Sequence, residues 1–242
     1  MSVDLVAWRR RKELAWRRVW EDLEIGYLDR DLLPVIVVVN SDNELFTTSS
    51  CSGRIVVMDA DYPWTREETG IIFKSHVPVR PEDLAFLYRL KPHKKIWVVV
   101  TGPILHVSSS TRRKAVKVLE VARRAGFKHS GIMHVGKTRG VFLELVTGIY
   151  VSQLIMTSVE VFVSEEKLVG LLRVLNAALL EGKRRLQRLY FELSKILPEE
   201  VDPVVSTDPR VTGGLSKITP IDVFAEMCEE RGVSCEIQAQ RL

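Results

Sequence analysis

Three times in this chain one strand-like run follows another with no helix between them. "RIVVMDA" (54–60) leads through a polar loop to "GIIFKSH" (70–76). "KIWVVVTGPILHVSSS" (95–110) reads as two strand pieces broken at Gly102-Pro103. "KHSGIMHVGKTRGVFLELVTG" (128–148) reads as two strands joined near "GKTRG". A doubly wound parallel sheet needs a helix between successive strands. Strand pairs of this kind, alternating elsewhere with helices, predict an α+β fold built on a mixed sheet instead.

The helices are marked by period and by punctuation. Residues 4–24 repeat Leu5, Trp8, Ala15, Val19 and Leu23 at near-helical steps behind a possible Asp4 cap. "RPEDLAFLYRL" (80–90) is a short helix opened by Pro81. In 110–127, Ala115, Val118, Leu119, Ala122 and Ala125 share a face and Gly126 is a natural stop. Residues 164–197 form a long helix closed by Pro198, and "TPID" (219–222) opens a last helix running to Arg231. Residues 198–218, with three prolines and two adjacent glycines, read as a linker, and 233–239 as a short strand. Residues 29–41 stay open: the β-branched run says strand, while an acidic start followed by Pro34 says helix.

Composition is that of a soluble globular protein, 46% hydrophobic and 27% charged. No apolar run is long enough to span a bilayer or to serve as a secretory core, so a cytoplasmic location with no membrane partner is expected. Cys51, Cys228 and Cys235 have no tight metal spacing, which indicates neither a zinc site nor a disulfide framework. The net charge of +4 is modest, but Arg112 to Arg139 holds nine Lys/Arg against the single acid Glu120. Such a field suits nucleic acid, although a solvated helix face has the same composition. Glycine-rich nucleotide loops, HExxH and GxSxG are absent from the sequence.

"TTSSCSGR" (47–54) is the densest polar run. Its hydroxyls donate and accept, Gly53 allows close backbone approach, and Arg54 presents a planar fork for carboxylate or phosphate. A Ser/Thr/Gly turn at a strand entry would read the same way. Cys51 is a possible nucleophile or a small buried hydrophobe. His76 ends a strand and His106 lies within one; either suits general-base work, and either suits ordinary sheet packing. Ser130 and Gly131 again permit close approach, as a plain bulge would. Asn176 and Lys183 share a face of the long helix, which usually means a solvated face.

"TTSSCSGRI", "FKSHVPV" (73–79), "PILHV" (103–107), "AGFKHSGI" (125–132) and "LVGLLRVLN" (168–176) occur in this order. Together they resemble the tRNA wybutosine-synthesising methyltransferase family over roughly residues 5–195. The resemblance implies an S-adenosylmethionine-dependent enzyme. It would methylate N-4 of the 7-aminocarboxypropyl-demethylwyosine base at position 37, in the anticodon loop of tRNA(Phe). It also implies a two-layer α/β sandwich that is not Rossmann-like and a helix for 29–41; no metal is expected, and an archaeal source is suggested by length and the lack of fused domains. Residues 1–197 would form the methyltransferase domain and 198–242 a linker with a helix-strand tail.

Within that resemblance His76 is the first candidate for the base and His106 the second. Ser49, Ser50, Ser52, Gly53, Arg54, Ser130 and Gly131 are the candidates for the cofactor. Arg112, Arg113, Lys114, Arg123 and Lys128 are the candidates for tRNA phosphates, and Trp64 or Phe73 for stacking on a base. Two other readings fit the same residues: a tRNA-binding module without catalysis, and a hydrolase using Cys51 and His76.

Overall fold

The computed structural model describes residues 2–65, 70–196, 201–212 and 218–235. In chain order it contains α1 (Leu5–Glu24), a 3-10 turn (Arg30–Leu32), α2 (Leu33–Asn40), β1 (Leu45–Cys51), β2 (Arg54–Asp59) and β3 (Gly70–Ser75). Next come α3 (Pro81–Leu84) with a 3-10 extension (Ala85–Arg89), β4 (Lys95–Thr101), β5 (Ile104–Ser109), α4 (Arg112–Arg124), β6 (Gly131–Gly136), β7 (Gly140–Val146) and β8 (Tyr150–Thr157). The chain closes with α5 (Glu165–Ser194), α6 (Pro203–Ser206), α7 (Pro209–Thr212) and α8 (Pro220–Arg231). No helix among the described residues is long and apolar enough to cross a membrane.

The class is α+β, as expected. The strands divide between two four-stranded sheets, and every ladder among the described residues is antiparallel where a mixed sheet was anticipated. The chain forms two compact units. Unit one is Met1–Ser52, Pro103–Gly148 and Lys183–Phe224; unit two is Gly53–Gly102, Ile149–Gly182 and Ala225–Leu242. Gly102-Pro103, read as a break within a strand pair, is therefore a crossing point between units.

Unit one carries the sheet β1-β5-β7-β6. Strand alternation turns Leu45, Leu105, Val107, Val141, Leu143 and Leu145 to one face, where they bury against α2, α4 and the end of α5. At about 1.5–3 kcal/mol for each large apolar side chain buried, this face is the main stabilising layer of the unit. Residues 33–40 are helical despite five β-branched side chains in the run. Leu33 through Val37, Val39 and Asn40 are all buried, so packing on every side overrides strand propensity. α4 buries Ala115, Val118, Val121 and Ala122, and ends before Gly126, whose φ of 97° lies in the left-handed region.

The buried stripe of α1 is Trp8, Lys12, Trp16, Val19 and Trp20, while Leu5 is exposed. That stripe organises residues 201–212, expected to be linker. Asp202 is fully buried and accepts from Arg9 Nη1 and Lys12 Nζ, both at 2.7 Å. Asp208 accepts from Trp16 Nε1 at 3.0 Å and from both ends of the Arg210 fork at 2.8 Å. The bond from Arg210 is the main reason its carboxyl titrates below the usual range. Two carboxylates matched to α1 thus fold this segment into α6 and α7. Lys12 also donates to Asp42 O at 2.5 Å, and burial lowers its pKa to about 8.

Unit two carries the sheet β3-β2-β4-β8. Ile55, Val57, Ile96, Val98, Val100 and Ile155 form its inner face. They pack with Leu168, Leu172, Leu175 and Leu179, a helical stripe on the first half of α5. β1 and β8 have no counterpart among the expected elements: β1 is mostly hydroxyl-bearing, and the alternation in β8 is blurred.

α8 begins as read, with reciprocal bonds between Thr219 and Asp222. After α8 the chain turns back through Gly232, and Val233 N–H donates to Cys228 O at 3.1 Å. That reversal brings Cys235 to Cys228, and the two form a disulfide that the cysteine count did not indicate. Residues 233–235 are not in a strand; the rest of the expected 233–239 strand, and Pro198, lie outside the described residues.

Candidate active site

The run "TTSSCSGR" crosses from unit one to unit two between Ser52 and Gly53. It is mainly a strand rather than a turn, since residues 45–51 are β1. A bulge between Thr47 and Ser50 displaces the middle of the run from regular pairing with β5. Thr47 is buried and bonds to Asn40 of α2 at 2.8 Å.

Ser52 is the most enclosed member. Its N–H donates to Asp29 Oδ2 at 2.7 Å, and its Oγ accepts from Lys183 Nζ at 2.7 Å. The same ammonium donates to Asp31 Oδ2 at 2.7 Å, with both side chains within 1% of full burial. The Phe224 ring lies 5.1 Å from that ammonium. Asp31 Oδ1 and Ser50 Oγ are buried without a hydrogen-bond partner. Polar atoms in that condition are uncommon in folded proteins and mark places where a further group is called for.

The sequence reading put Lys183 on a solvated face. In the structure it continues the apolar stripe through Leu179 and Leu186, a spacing that was legible in the sequence. Asn176, read the same way, is also engaged. It accepts from Val79 N at 2.9 Å and donates to Val79 O at 2.8 Å within unit two. Asp29 and Asp31 were not singled out, since an acidic helix start looks alike whether exposed or buried.

Ser49 is exposed and reaches across to β5. Its Oγ is 2.9 Å from His106 Nδ1, and His106 Nε2 is 3.2 Å from Glu144 Oε1 on β7. Glu144 accepts from Nε2–H, and Nδ1 also lies 3.0 Å from the Ser49 carbonyl, which only accepts; a proton on Nδ1 serves that carbonyl, and a lone pair there accepts from the Ser49 hydroxyl. The result is a hydroxyl–imidazole–carboxylate chain. Glu144 was missed, although alternation in "VFLELV" places it beside Phe142 on the face opposite the core.

In unit two, Gly53 has a φ of 89°, and its carbonyl accepts from His76 Nδ1 at 3.1 Å. A proton on Nδ1 puts the neutral ring's lone pair on Nε2, the tautomer of a general base. Arg54, half-buried on β2, makes no ion pair or hydrogen bond among the described residues. Phe73 packs against the core of unit two. Trp64 is 73% exposed and stacks on Tyr62 at 5.0 Å.

The remaining candidates separate by burial. Ser130 Oγ donates to Phe127 O at 2.6 Å and accepts from Val146 N at 3.0 Å, so its hydroxyl is committed to the backbone. Gly131 opens β6. Arg112, Arg113, Arg123 and Lys128 are exposed on or just beyond α4, whereas Lys114 is drawn to Asp42 at 2.5 Å.

Comparison with known proteins gives this geometry its setting. The family model described as Methyltransferase TYW3 matches residues 10–195. A Saccharolobus solfataricus protein named "tRNA(Phe) 7-((3-amino-3-carboxypropyl)-4-demethylwyosine(37)-N(4))-methyltransferase" is 37% identical over 186 residues, 76% of this chain and 88% of its own length. The mouse protein named "tRNA wybutosine-synthesizing protein 3 homolog" is 34% identical over 184 residues, covering 72% and 68%. The solved structure of the PH1069 protein from Pyrococcus horikoshii superposes with a TM-score of 0.73 at 29% identity, covering 78% of this chain and 97% of that one. The five sequence motifs lie inside the matched span, and the chain belongs to the methyltransferase TYW3 family.

Proposed function

We propose that this chain transfers a methyl group from S-adenosylmethionine to N-4 of the 7-aminocarboxypropyl-demethylwyosine base at position 37 of tRNA(Phe). The observation that carries this reading is the 37% identity over 186 residues to a protein whose name states that reaction. Residues 1–197 form the methyltransferase domain in this reading, with 201–224 as an addition to unit one.

The donor supplies an electrophilic methyl on a sulfonium. The protein must hold the acceptor nitrogen in line and take its proton, and positioning of that kind is worth about 7–11 kcal/mol at best. Ser50, whose buried hydroxyl lacks a partner, fits a polar group of the donor, as Ser49, Ser52 and Gly53 beside it fit the donor or the base. Arg54 fits a carboxylate, which both the donor and the aminocarboxypropyl arm carry. His76, with its Nδ1 proton held by Gly53 O, serves as the base through Nε2. His106, ordered by Glu144, positions Ser49. Arg112, Arg113, Arg123 and Lys128 take the phosphates of the anticodon arm.

The test is nucleoside mass spectrometry of tRNA(Phe) bearing the demethylated base, after incubation with S-adenosylmethionine. One methyl gained at the tricyclic base is the expected result. An unchanged nucleoside profile with tRNA bound would instead support a binding module without catalysis.

A further inference from the structure

The outer face of the β1-β5-β7-β6 sheet is notched between two aromatic rings. Strand register sets Phe46, Ser108 and Phe142 side by side across β1, β5 and β7. Ser108 is short, and the space over it is bounded by the half-buried Phe142 and by Phe46, which is 4% exposed and packs on Trp8 at 5.1 Å. The floor is fixed, because Ser108 Oγ accepts from Trp8 Nε1 at 2.9 Å and donates to Arg139 O at 2.6 Å. α1 closes one side with Arg11, Leu14 and Ala15, leaving a cavity of about 360 Å³. That is within the size range of small-ligand sites.

Beyond Phe142 the aromatic row continues. His106 stacks on it at 5.6 Å with 15° between planes, and His134 follows at 5.9 Å. The rim is basic. Arg11 and Arg139 are exposed, and neither guanidinium has an ion pair or hydrogen bond among the described residues. Thr48, also on the wall, is exposed and its hydroxyl is likewise unengaged.

We propose that this notch seats one unstacked nucleotide of the tRNA, its base against Phe142 and its phosphate held by Arg11 and Arg139. The inference rests on the tRNA reading of the chain given above. Aromatic rings beside unpaired guanidiniums are the combination that holds single-stranded RNA, stacking supplying the base contact and arginine the phosphate contact. The methyl donor also contains a base and a carboxylate, but its cationic sulfonium is disfavoured beside two unpaired guanidiniums, so the notch favours the phosphodiester. The Thr48 hydroxyl, a donor and an acceptor at once, faces the edge of the base.

The experiment is anisotropy titration of a fluorescent anticodon stem-loop RNA at several salt concentrations, alongside calorimetry with S-adenosylmethionine. It uses the full chain and its Arg11→Ala, Arg139→Ala and Phe142→Leu variants. Phe142→Leu should weaken RNA binding about five- to hundredfold. Each arginine variant should lower the slope of log affinity against log salt by about one. Affinity for S-adenosylmethionine should match the unaltered protein throughout. Arg11 is exposed, so its variant keeps the result independent of packing at Phe142. RNA affinity and salt slope unchanged in both arginine variants would overturn the proposal. So would loss of S-adenosylmethionine binding with RNA binding intact, which assigns the notch to the methyl donor. An unaltered protein with no affinity for the RNA would overturn the tRNA reading as well.

Discussion

Lys183 and Ser52 stand 131 residues apart in sequence, yet the Lys183 ammonium donates to the Ser52 hydroxyl over 2.7 Å. A buried cation shared with Asp31 therefore sets the end of the polar motif. Lys183→Met leaves Asp31 buried and unpaired, and should lower the unfolding free energy by about 3–5 kcal/mol in urea titration. Adding Asp31→Leu should recover most of that stability, while methyl transfer stays low because Ser52 still lacks its donor. Full activity in the double variant would remove Lys183 from any positioning role.

The two histidines are separable by pH. His76→Asn should lower kcat about 10²- to 10⁴-fold and flatten the acidic limb of the pH–rate profile, as loss of a general base does. Glu144→Gln should lower the rate less and leave that limb in place, because it disorders His106 without touching His76. The reverse pattern would make His106 the base.

Lys12 gives unit one an unusual alkaline signature. Burial lowers its folded pKa to about 8 from 10.5. Below pH 8 the amine is charged in both states. Between the two values the unfolded chain holds a proton that the folded chain does not, so stability rises with pH through that window. The rise attributable to Lys12 is up to about 3 kcal/mol. Urea unfolding near pH 7 and near pH 10 should show the difference between the unaltered protein and Lys12→Met shifting in favour of the unaltered protein. Equal pH dependence in both would count against a buried, pKa-lowered Lys12.

The cations of α4 should divide by burial. Arg112→Ala, Arg113→Ala and Arg123→Ala together should weaken tRNA binding and reduce its salt dependence by about one phosphate contact each, with little change in melting temperature. Lys114→Ala removes the partner of nearly buried Asp42. It should cost about 1–3 kcal/mol of stability instead. Differential scanning calorimetry beside filter-binding separates the two effects.

Much of this architecture was legible beforehand. The punctuation by Pro81, Gly126 and Thr219 marks helix ends, because backbone geometry and missing donors act locally. The two strand pieces of "KIWVVVTGPILHVSSS" were readable for the same reason. The hydroxyl run was recognisable as a site candidate, although its strand was not, since β1 owes its pairing to β5 rather than to its own propensity.

What the chain determined by itself was six of the eight described strands, helices α1, α3, α4, α5 and α8, the α+β class and the motif order that marks the family. All of these rest on local propensity and on spacing along the chain. The tertiary structure alone decided that Lys183 and Asp31 are buried beneath Ser52, that Glu144 orders His106, and that 201–212 folds onto α1. It also brought Cys235 back to Cys228. Those depend on which groups lose water together, and desolvation is a property of residues distant in sequence and adjacent in space.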